Sequence, residues 1–213
     1  MAQGTKMLDE RLKMFWKLES LGITSPEESV HHNFGTTIQF VGGRYEVQLP
    51  WKKDYLPLPD NYQLCVNRLR SLGRRLKQNP AILHEYDATI RSQIQQGIVE
   101  VVEPDGPDQV HYLPHHAVVR QDKMTTKVRV VYDASTRSNG TSLNDCLHAG
   151  PKQNQKILDI LLRFRVHRVA IIADIEKAFL MVSIAKKDRD VLRFLWFKDT
   201  CTNQHDLMKL RFT

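Results

Sequence analysis

The chain has 213 residues, of which 41% are hydrophobic and 26% are charged, a balance typical of a globular protein with a buried core. It contains no run of about 18 apolar residues, which excludes a transmembrane helix, and its first residues lack the apolar stretch of a secretory signal. Its three cysteines form no C-x-x-C pair, which argues against a zinc knuckle or a disulfide framework. We therefore expect an intracellular protein, located in the cytoplasm, without a membrane partner.

The net charge of +7 is concentrated in the second half of the chain. Residues 1–110 contain 13 lysines and arginines against 14 acidic residues, whereas residues 111–213 contain 18 against 10. Basic side chains near phosphates release condensed counterions, so such an excess favours a polyanionic partner. A basic surface that only maintains solubility is the alternative.

The first 60 residues predict a helix, a hairpin and a linker. Apolar residues at helical spacing over residues 7–21 predict an amphipathic helix that ends at Gly22. The alternating segments Thr36–Val41 and Arg44–Leu49 are joined by two glycines, a loop typical of a β-hairpin. Three prolines between residues 50 and 59 then indicate an extended connection.

Residues 62–78 predict a second amphipathic helix, because apolar residues recur every three or four positions until Asn79-Pro80 ends the pattern. These apolar residues are Cys65, Leu69, Leu72 and Leu76, and the basic residues that would face outward are Arg68, Arg70, Arg74, Arg75 and Lys77. A solvated outer face is the favoured interpretation of the basic residues, and contact with nucleic acid is the alternative.

A third predicted helix carries Leu83, Tyr86, Ile90 and Ile94 on one side and ends at Gly97. Ile98–Val102 then predicts a short strand. From Val110 the pattern favours β-structure interrupted by one helix. The expected elements are strands at His116–Gln121 and Lys127–Tyr132, a helix over about Gln153–Arg165, a buried strand at Val169–Ala173, and strands at Leu192–Phe197 and Leu207–Phe212. The fold class is therefore α+β.

The sequence offers two possible metal sites, one at Asp174 and one at a group of three histidines. Asp174 directly follows the apolar run Val169–Ala173. A carboxylate at the end of a strand can hold Mg²⁺ together with substrate phosphates. The alternative is that Asp174 only caps the following turn. His111, His115 and His116 lie close together, but neighbouring residues of a strand face opposite ways and no fourth ligand stands at suitable spacing, so zinc binding is not favoured.

Six ordered motifs over about 85 residues resemble the reverse transcriptase of Pao/BEL-type LTR retrotransposons. They are YLPHHAVVR (112–120), KVRVVYDAS (127–135), SLNDCLHAGP (142–151), ILDILLRFR (157–165), ADIEKAF (173–179) and DVLRFLW (190–196). Two earlier segments, FWKLESLGI (15–23) and GGRYEVQLPWK (42–52), resemble the region that precedes the polymerase. The resemblance implies a connecting segment at residues 1–60, with a helix and a hairpin, and the fingers and incomplete palm of a right-hand polymerase at residues 61–213.

The resemblance also implies roles for individual residues. Asp174 falls at the first catalytic aspartate, which binds Mg²⁺ or Mn²⁺, and the carbonyl of Ile175 would bind the second ion. Lys177 and Ala178 would direct backbone N–H groups at the triphosphate of the dNTP. Phe179 falls at the position that excludes a 2′-hydroxyl, with a core aromatic as the structural alternative.

Arg129 falls at the fingers arginine that contacts the triphosphate, and a generic basic hairpin is the alternative. The accompanying basic residue could be Lys123, Lys127 or Arg120. The partners implied are an RNA template, a DNA primer and a dNTP. For Asp133, which matches the fingers, turn formation or an ion pair is favoured over a metal.

A complete reverse transcriptase also needs a Tyr-x-Asp-Asp hairpin downstream of a Phe-Gly segment, and neither sequence occurs after Asp174 in the 213 residues. We therefore expect negligible polymerase activity from these residues alone, so whether this chain is itself an enzyme is left open. Without further palm strands, the apolar residues around Val169–Ala173 would stay uncovered. The alternative function is a non-catalytic relic, or a domesticated retroelement protein, that holds nucleic acid through its basic half.

Overall fold

The computed structural model describes residues 30, 34–102, 109–119, 128–138, 140–150, 157–166, 168–173, 177–200 and 206–213. The chain divides into two compact units, one made of residues 1–37 and 148–175 and the other of residues 38–147 and 176–213. The described elements are, in order, β1 (Gln39–Val41), β2 (Arg44–Val47), α1 (Tyr62–Lys77), α2 (Pro80–Gln95), β3 (Val99–Val101), β4 (His115–Val119), β5 (Val128–Tyr132), α3 (Leu143–Cys146), α4 (Ile157–Val166), a 3₁₀ helix (Ala178–Met181), β6 (Val182–Ile184), a second 3₁₀ helix (Lys186–Leu192), β7 (Arg193–Phe197) and β8 (Leu207–Phe212). This mixture of helices and strands is compatible with the predicted α+β class.

The strands of the second unit form three small sheets, with the orders β1-β2-β6, β3-β8-β7 and β4-β5 among the described residues. The predicted glycine hairpin is confirmed, since β1 and β2 pair antiparallel and Gly42 and Gly43 have φ angles of +59° and +83°. A two-residue loop with positive φ at both positions matches the twist of the flanking strands. β6 pairs parallel with β2, so residues on both sides of the predicted boundary at residue 60 share a sheet.

Helices α1 and α2 pack on the β3-β8-β7 sheet and confirm both helix predictions. The predicted apolar face of α1 is buried, and α2 buries Tyr86 and Ile90 against Phe194 and Trp196 of β7. Asn79 caps α2 by accepting a hydrogen bond from the N–H of Ile82, and Gly97 ends it with a φ of +65°. Helix α1 lies close to β7 at Gly73, where an added Cβ would come within 2.8 Å of the Phe197 ring.

A buried ion network ties the strands of this sheet together. The Asp190 carboxylate accepts hydrogen bonds from Arg193 Nε and Nη2, at 2.8 and 2.6 Å, and from Arg211 Nη1 at 2.8 Å. Arg211 Nε also donates to Glu100 on β3 at 2.6 Å. Both Asp190 and Arg193 are buried, so each charge depends on its partner for compensation.

A smaller apolar cluster forms around α3 and includes Leu58, Leu113, Leu143, Cys146 and Val191. A capping box begins α3, in which the Ser142 hydroxyl and the Asp145 carboxylate each accept from the other residue's backbone N–H. Cys146 O accepts from Lys52 N, and the isolated bridge between Trp51 and Leu147 joins the chain before residue 60 to this cluster.

The described part of the first unit contains α4, which overlaps the predicted helix at Gln153–Arg165, although residues 151–156 lie outside the described residues. The predicted buried strand at Val169–Ala173 is wrong. These residues form no strand, and Val169 and Ile172 are 76% and 85% exposed. A continuous apolar run becomes a buried strand only when neighbouring strands and layers cover it, and none of the described strands pairs with it.

Two other predicted elements, the helix over residues 7–21 and the turn over residues 122–126, lie outside the described residues. None of the helices in the described ranges is long and apolar enough to cross a membrane.

We expect Asp190→Asn to lower the free energy of unfolding by about 3 kcal/mol or more, because it leaves the buried Arg193 without a counter-charge. Urea unfolding followed by circular dichroism measures this loss. Asp54→Asn is the matched control, since Asp54 is exposed and should change stability by less than about 0.5 kcal/mol. A loss below about 1 kcal/mol for Asp190→Asn would contradict the assignment of this network as a main support of the sheet.

Candidate functional site

Strands β4 and β5 form an antiparallel ribbon that presents Arg129 to solvent. Their register places His116 opposite Val131 and Val118 opposite Arg129. Residues directly opposite each other lie on the same face of a pair, and successive residues alternate between faces. The ribbon therefore has an outer face with His116, Arg129 and Val131, which are all exposed, and an inner face that packs on the core.

The inner face is fixed to the core by His115, whose side chain is buried. Its Nε2 lies 2.8 Å from the carbonyl oxygen of Leu195, and its Nδ1 lies 2.5 Å from the hydroxyl of Tyr86. A carbonyl can only accept, so Nε2 carries the proton and Nδ1 accepts from Tyr86. Burial lowers the pKa of His115 to about 4, which keeps the imidazole neutral.

The three neighbouring histidines do not converge on one point. His115 faces the core and uses both ring nitrogens, His116 lies on the outer face, and Nδ1 of His111 lies 2.5 Å from the carbonyl oxygen of Pro59. Across the described ranges, no group of three or more His, Cys, Asp or Glu side chains is arranged to hold a metal ion.

The Arg129 guanidinium is available to a ligand, since it forms an ion pair with none of the described carboxylates. A planar guanidinium on a strand can bind phosphate oxygens in bidentate fashion. Arg120, Lys123 and Lys127, the three candidates for a second triphosphate contact, lie outside the described residues. The choice among them therefore stays open.

The turn at residues 177–181 exposes Phe179. Lys177 has a φ of +53°, a left-handed conformation that costs a residue other than glycine about 1–2 kcal/mol. Its carbonyl accepts from the N–H of Leu180 at 2.8 Å, which closes the 3₁₀ helix Ala178–Met181. Phe179 is 96% exposed on this turn, so the alternative that it is a core aromatic is wrong.

The predicted site residues are distributed over different parts of the structure. Arg129 belongs to the β4-β5 ribbon, whereas Lys177, Ala178 and Phe179 lead into β6 of the β1-β2-β6 sheet. Asp174 and Ile175, the expected metal ligands, lie outside the described residues. These assignments stay predictions.

The sequence patterns did not predict a groove between α1 and β4. It has a volume of about 360 Å³ and is lined by Asn67, Arg68, Ser71 and Arg75 from α1 and by Pro114, His115, His116 and Asp133 from the ribbon side. The arginines were expected on a solvated helix face, and only the packing of α1 beside β4 turns part of that face into a concave surface. The spacing of Asn67, Ser71 and Arg75, four residues apart, was the available signal.

Asp133 lies at the edge of this groove and is held by its neighbours. Its Oδ1 accepts from the N–H and the hydroxyl of Ser135, and its Oδ2 accepts from the Thr136 hydroxyl and from Arg68 Nη1 at 3.2 Å. The hydroxyls of Ser135 and Thr136, with Arg68, lower the pKa of Asp133 to about 2. The expected turn and ion pair are both confirmed.

Comparisons of the chain with known protein families and with curated proteins found no match. The resemblance to reverse transcriptases therefore rests on the six motifs in the sequence.

We expect the stability of the protein to fall as the pH drops from about 6.5 toward 4. The folded state keeps His115 neutral down to a pKa of about 4, whereas its ordinary value is 6.5, so the unfolded chain binds the proton first. The stabilising effect is complete above pH 6.5. Below that pH, the free energy of unfolding decreases by up to about 1.4 kcal/mol per pH unit.

Urea unfolding at a series of pH values measures this effect in the wild type and in His115→Gln. The variant should lose most of the slope between pH 4 and 6.5, and His84→Gln, at an exposed histidine, should keep it. Equal slopes in the wild type and His115→Gln would show that His115 is not the group responsible.

Proposed function

We propose that this chain provides the fingers and the first part of the palm of an RNA-directed DNA polymerase similar to those of Pao/BEL-type retrotransposons. In this role it binds an RNA template, a DNA primer and a dNTP. The observation that carries the proposal is the position of Phe179, which is 96% exposed on a turn that follows directly after Asp174 and Ile175.

An exposed phenylalanine on an ordered turn suits the exclusion of a 2′-hydroxyl. Burial of such a ring contributes about 1.5–3 kcal/mol, and Phe179 gains almost none of it from the described part of the chain. The left-handed Lys177 and its hydrogen bond to Leu180 fix the backbone that presents the ring. A ring held in this way can pack under the sugar of a deoxynucleotide and collide with the additional oxygen of a ribonucleotide.

The outer face of the ribbon supports the same function. Arg129 is exposed on a strand whose inner face is anchored by His115, so the guanidinium is presented from an ordered backbone. A guanidinium in this position can bind the triphosphate of an incoming nucleotide through two parallel hydrogen bonds.

The chemistry of the proposed function is the attack of a primer 3′-hydroxyl on the α-phosphate of a dNTP, with release of pyrophosphate. Divalent metal ions supply charge stabilisation to this reaction when they are bound. The 213 residues contain no Tyr-x-Asp-Asp sequence. We therefore assign to them the binding of nucleotide and nucleic acid and no appreciable catalysis by themselves.

The excess of basic residues in the second half of the chain favours one alternative, a relic that binds nucleic acid without a nucleotide site. The two functions differ in the binding of a dNTP, which the relic lacks. Metal-dependent dNTP binding that is lost in Asp174→Asn would support the polymerase assignment.

We expect Arg129→Gln to weaken dNTP binding by about tenfold, because hydrogen bonds to a charged group contribute about 1.5–3 kcal/mol. The measurement is a titration of the full chain, with a primed RNA template and Mg²⁺, against a fluorescent dNTP. Arg70→Gln is the matched control, since Arg70 is an exposed arginine on α1 outside the groove. Equal affinities of Arg129→Gln and the wild type would contradict the proposed role.

We expect Phe179→Ala to reduce the preference for a dNTP over the matching rNTP to about one, because a pocket without the ring cannot reject a hydroxyl. Competition between the two nucleotides in the same titration measures this ratio. Phe40→Ala is the control, as Phe40 is an exposed aromatic on β1, outside the turn that carries Phe179. Neither variant should lower the unfolding free energy by more than about 0.5 kcal/mol. An unchanged preference in Phe179→Ala would exclude the ring as the selective element.

A further inference from the structure

We propose that the outer face of the β1-β2-β6 sheet is a dimer interface, on which two copies of this chain pack face to face about a two-fold axis that runs along β2. This surface belongs wholly to the second compact unit and lies outside both the Arg129 ribbon and the turn that carries Phe179. A dimer formed through it does not depend on the proposed polymerase function, so either can fail without the other.

The three strands of this sheet separate apolar from polar side chains. Phe40 on β1 lies opposite Tyr45 on β2, and Tyr45 lies opposite Val182 on β6. Residues directly opposite each other share a face, and the residue two positions further along a strand returns to that face. Val47 and Ile184, which also lie opposite each other, therefore continue the same face. None of these five side chains is charged.

This outer face is exposed although it is apolar. Phe40, Tyr45 and Val182 are 66%, 56% and 37% exposed. The rings of Phe40 and Tyr45 contact each other edge to face, with their centroids 5.0 Å apart, so they form one continuous surface. Adjacent exposed apolar side chains mark sites of association, whereas single ones are ordinary on a protein surface.

The other face of the sheet is polar and contacts the rest of the same compact unit. Arg44 Nη2 donates to the Thr213 hydroxyl at 2.6 Å. The Glu46 carboxylate lies 3.6 Å from Arg189, and Ser183 is buried. This orientation is the reverse of the usual one, in which a sheet buries its apolar face. The sheet is thus attached through polar side chains, and its apolar face is turned outward.

A second copy of the same face suits the chemistry of this surface. Because the described side chains of the face carry no charge, two copies can meet there without repulsion. The row is also graded in size, from Phe40 on β1 through Tyr45 to Val182 on β6. A two-fold axis along the central strand places β1 of one copy over β6 of the other. The large Phe40 ring then lies over the small Val182, and the two Tyr45 rings meet at the axis.

The size of the face sets the strength of this association. From the exposed fractions of its side chains, the face offers about 350–450 Å² per copy. Two copies together would bury about 700–900 Å², which is less than the roughly 1,200 Å² at which stable complexes begin. We therefore expect a weak dimer, with a dissociation constant of about 10–100 μM.

Sedimentation velocity of the full chain, freed of nucleic acid and run from about 1 to 200 μM, tests the proposal. The wild type should pass from monomer to dimer over this range. Association should strengthen as salt is raised, because salt screens the repulsion between two basic chains and does not weaken apolar contacts. A chain that stays monomeric throughout, or forms large aggregates without a defined dimer, would overturn the proposal. Association that weakens with salt would also overturn it, because it would indicate contact through charges.

Phe40→Thr removes one ring from the face and should weaken the dimer about tenfold or more. Val41→Thr is the matched control, since Val41 is the next residue of β1, is 54% exposed and lies on the opposite face. It should change the dissociation constant by less than about twofold. Equal effects of the two variants would contradict the proposed interface. Urea unfolding at a concentration at which the wild type is monomeric checks that both variants fold.

A pair of charge substitutions tests the two-fold arrangement. Phe40→Lys and Val182→Glu should each weaken the dimer about tenfold or more, because each buries an unpaired charge in the interface. The double variant places each introduced lysine over an introduced glutamate of the other copy, so it should restore most of the lost affinity, above all at low salt. Two weakened single variants without recovery in the double variant would overturn this arrangement. If Val182→Glu fails to fold, the comparison of Phe40→Thr with Val41→Thr decides alone.

Discussion

The hydrogen bonds of the buried His115 imidazole hold the β4-β5 ribbon against α2 and β7. The exposed face with Arg129 and the groove between α1 and β4 both depend on the position of that ribbon. Tyr86 and the Leu195 carbonyl satisfy the two ring nitrogens, and a buried polar atom without such a partner would cost about 1–3 kcal/mol. Only one ring orientation meets both partners. The strand is thereby fixed with His116 and Arg129 outward, where a ligand can reach them.

The sheet beneath this ribbon is held by charge as well as by apolar packing. Asp190 compensates Arg193 and Arg211, and these three side chains join the second 3₁₀ helix, β7 and β8. On the same sheet, the absence of a side chain at Gly73 lets α1 approach the Phe197 ring closely. The position of α1 sets the width of the groove, so a glycine on the buried face of the same helix affects its shape.

The two proposed contacts of the nucleotide, with its triphosphate and with its sugar, come from different sheets. Arg129 is presented by a two-stranded ribbon, and Phe179 by a turn that leads into β6. β6 pairs parallel with β2, so the hairpin before residue 60 supports the turn that carries Phe179. The segment expected to precede the polymerase thus pairs with the strand that follows a predicted site residue in the chain.

The sequence by itself determined the elements whose signals are local. Leu69 and Leu72 repeat at helical spacing, Gly42-Gly43 can adopt the positive φ of a hairpin loop, and the β8 prediction matches the observed strand. It could not determine whether Val169–Ala173 would be covered, because burial of an apolar run depends on distant neighbours, and that prediction was wrong. Only the tertiary structure placed His115 inward, paired β2 with β6 and formed a groove from one face of α1. Each of these depends on contacts between residues far apart in the chain, which local periodicity does not encode.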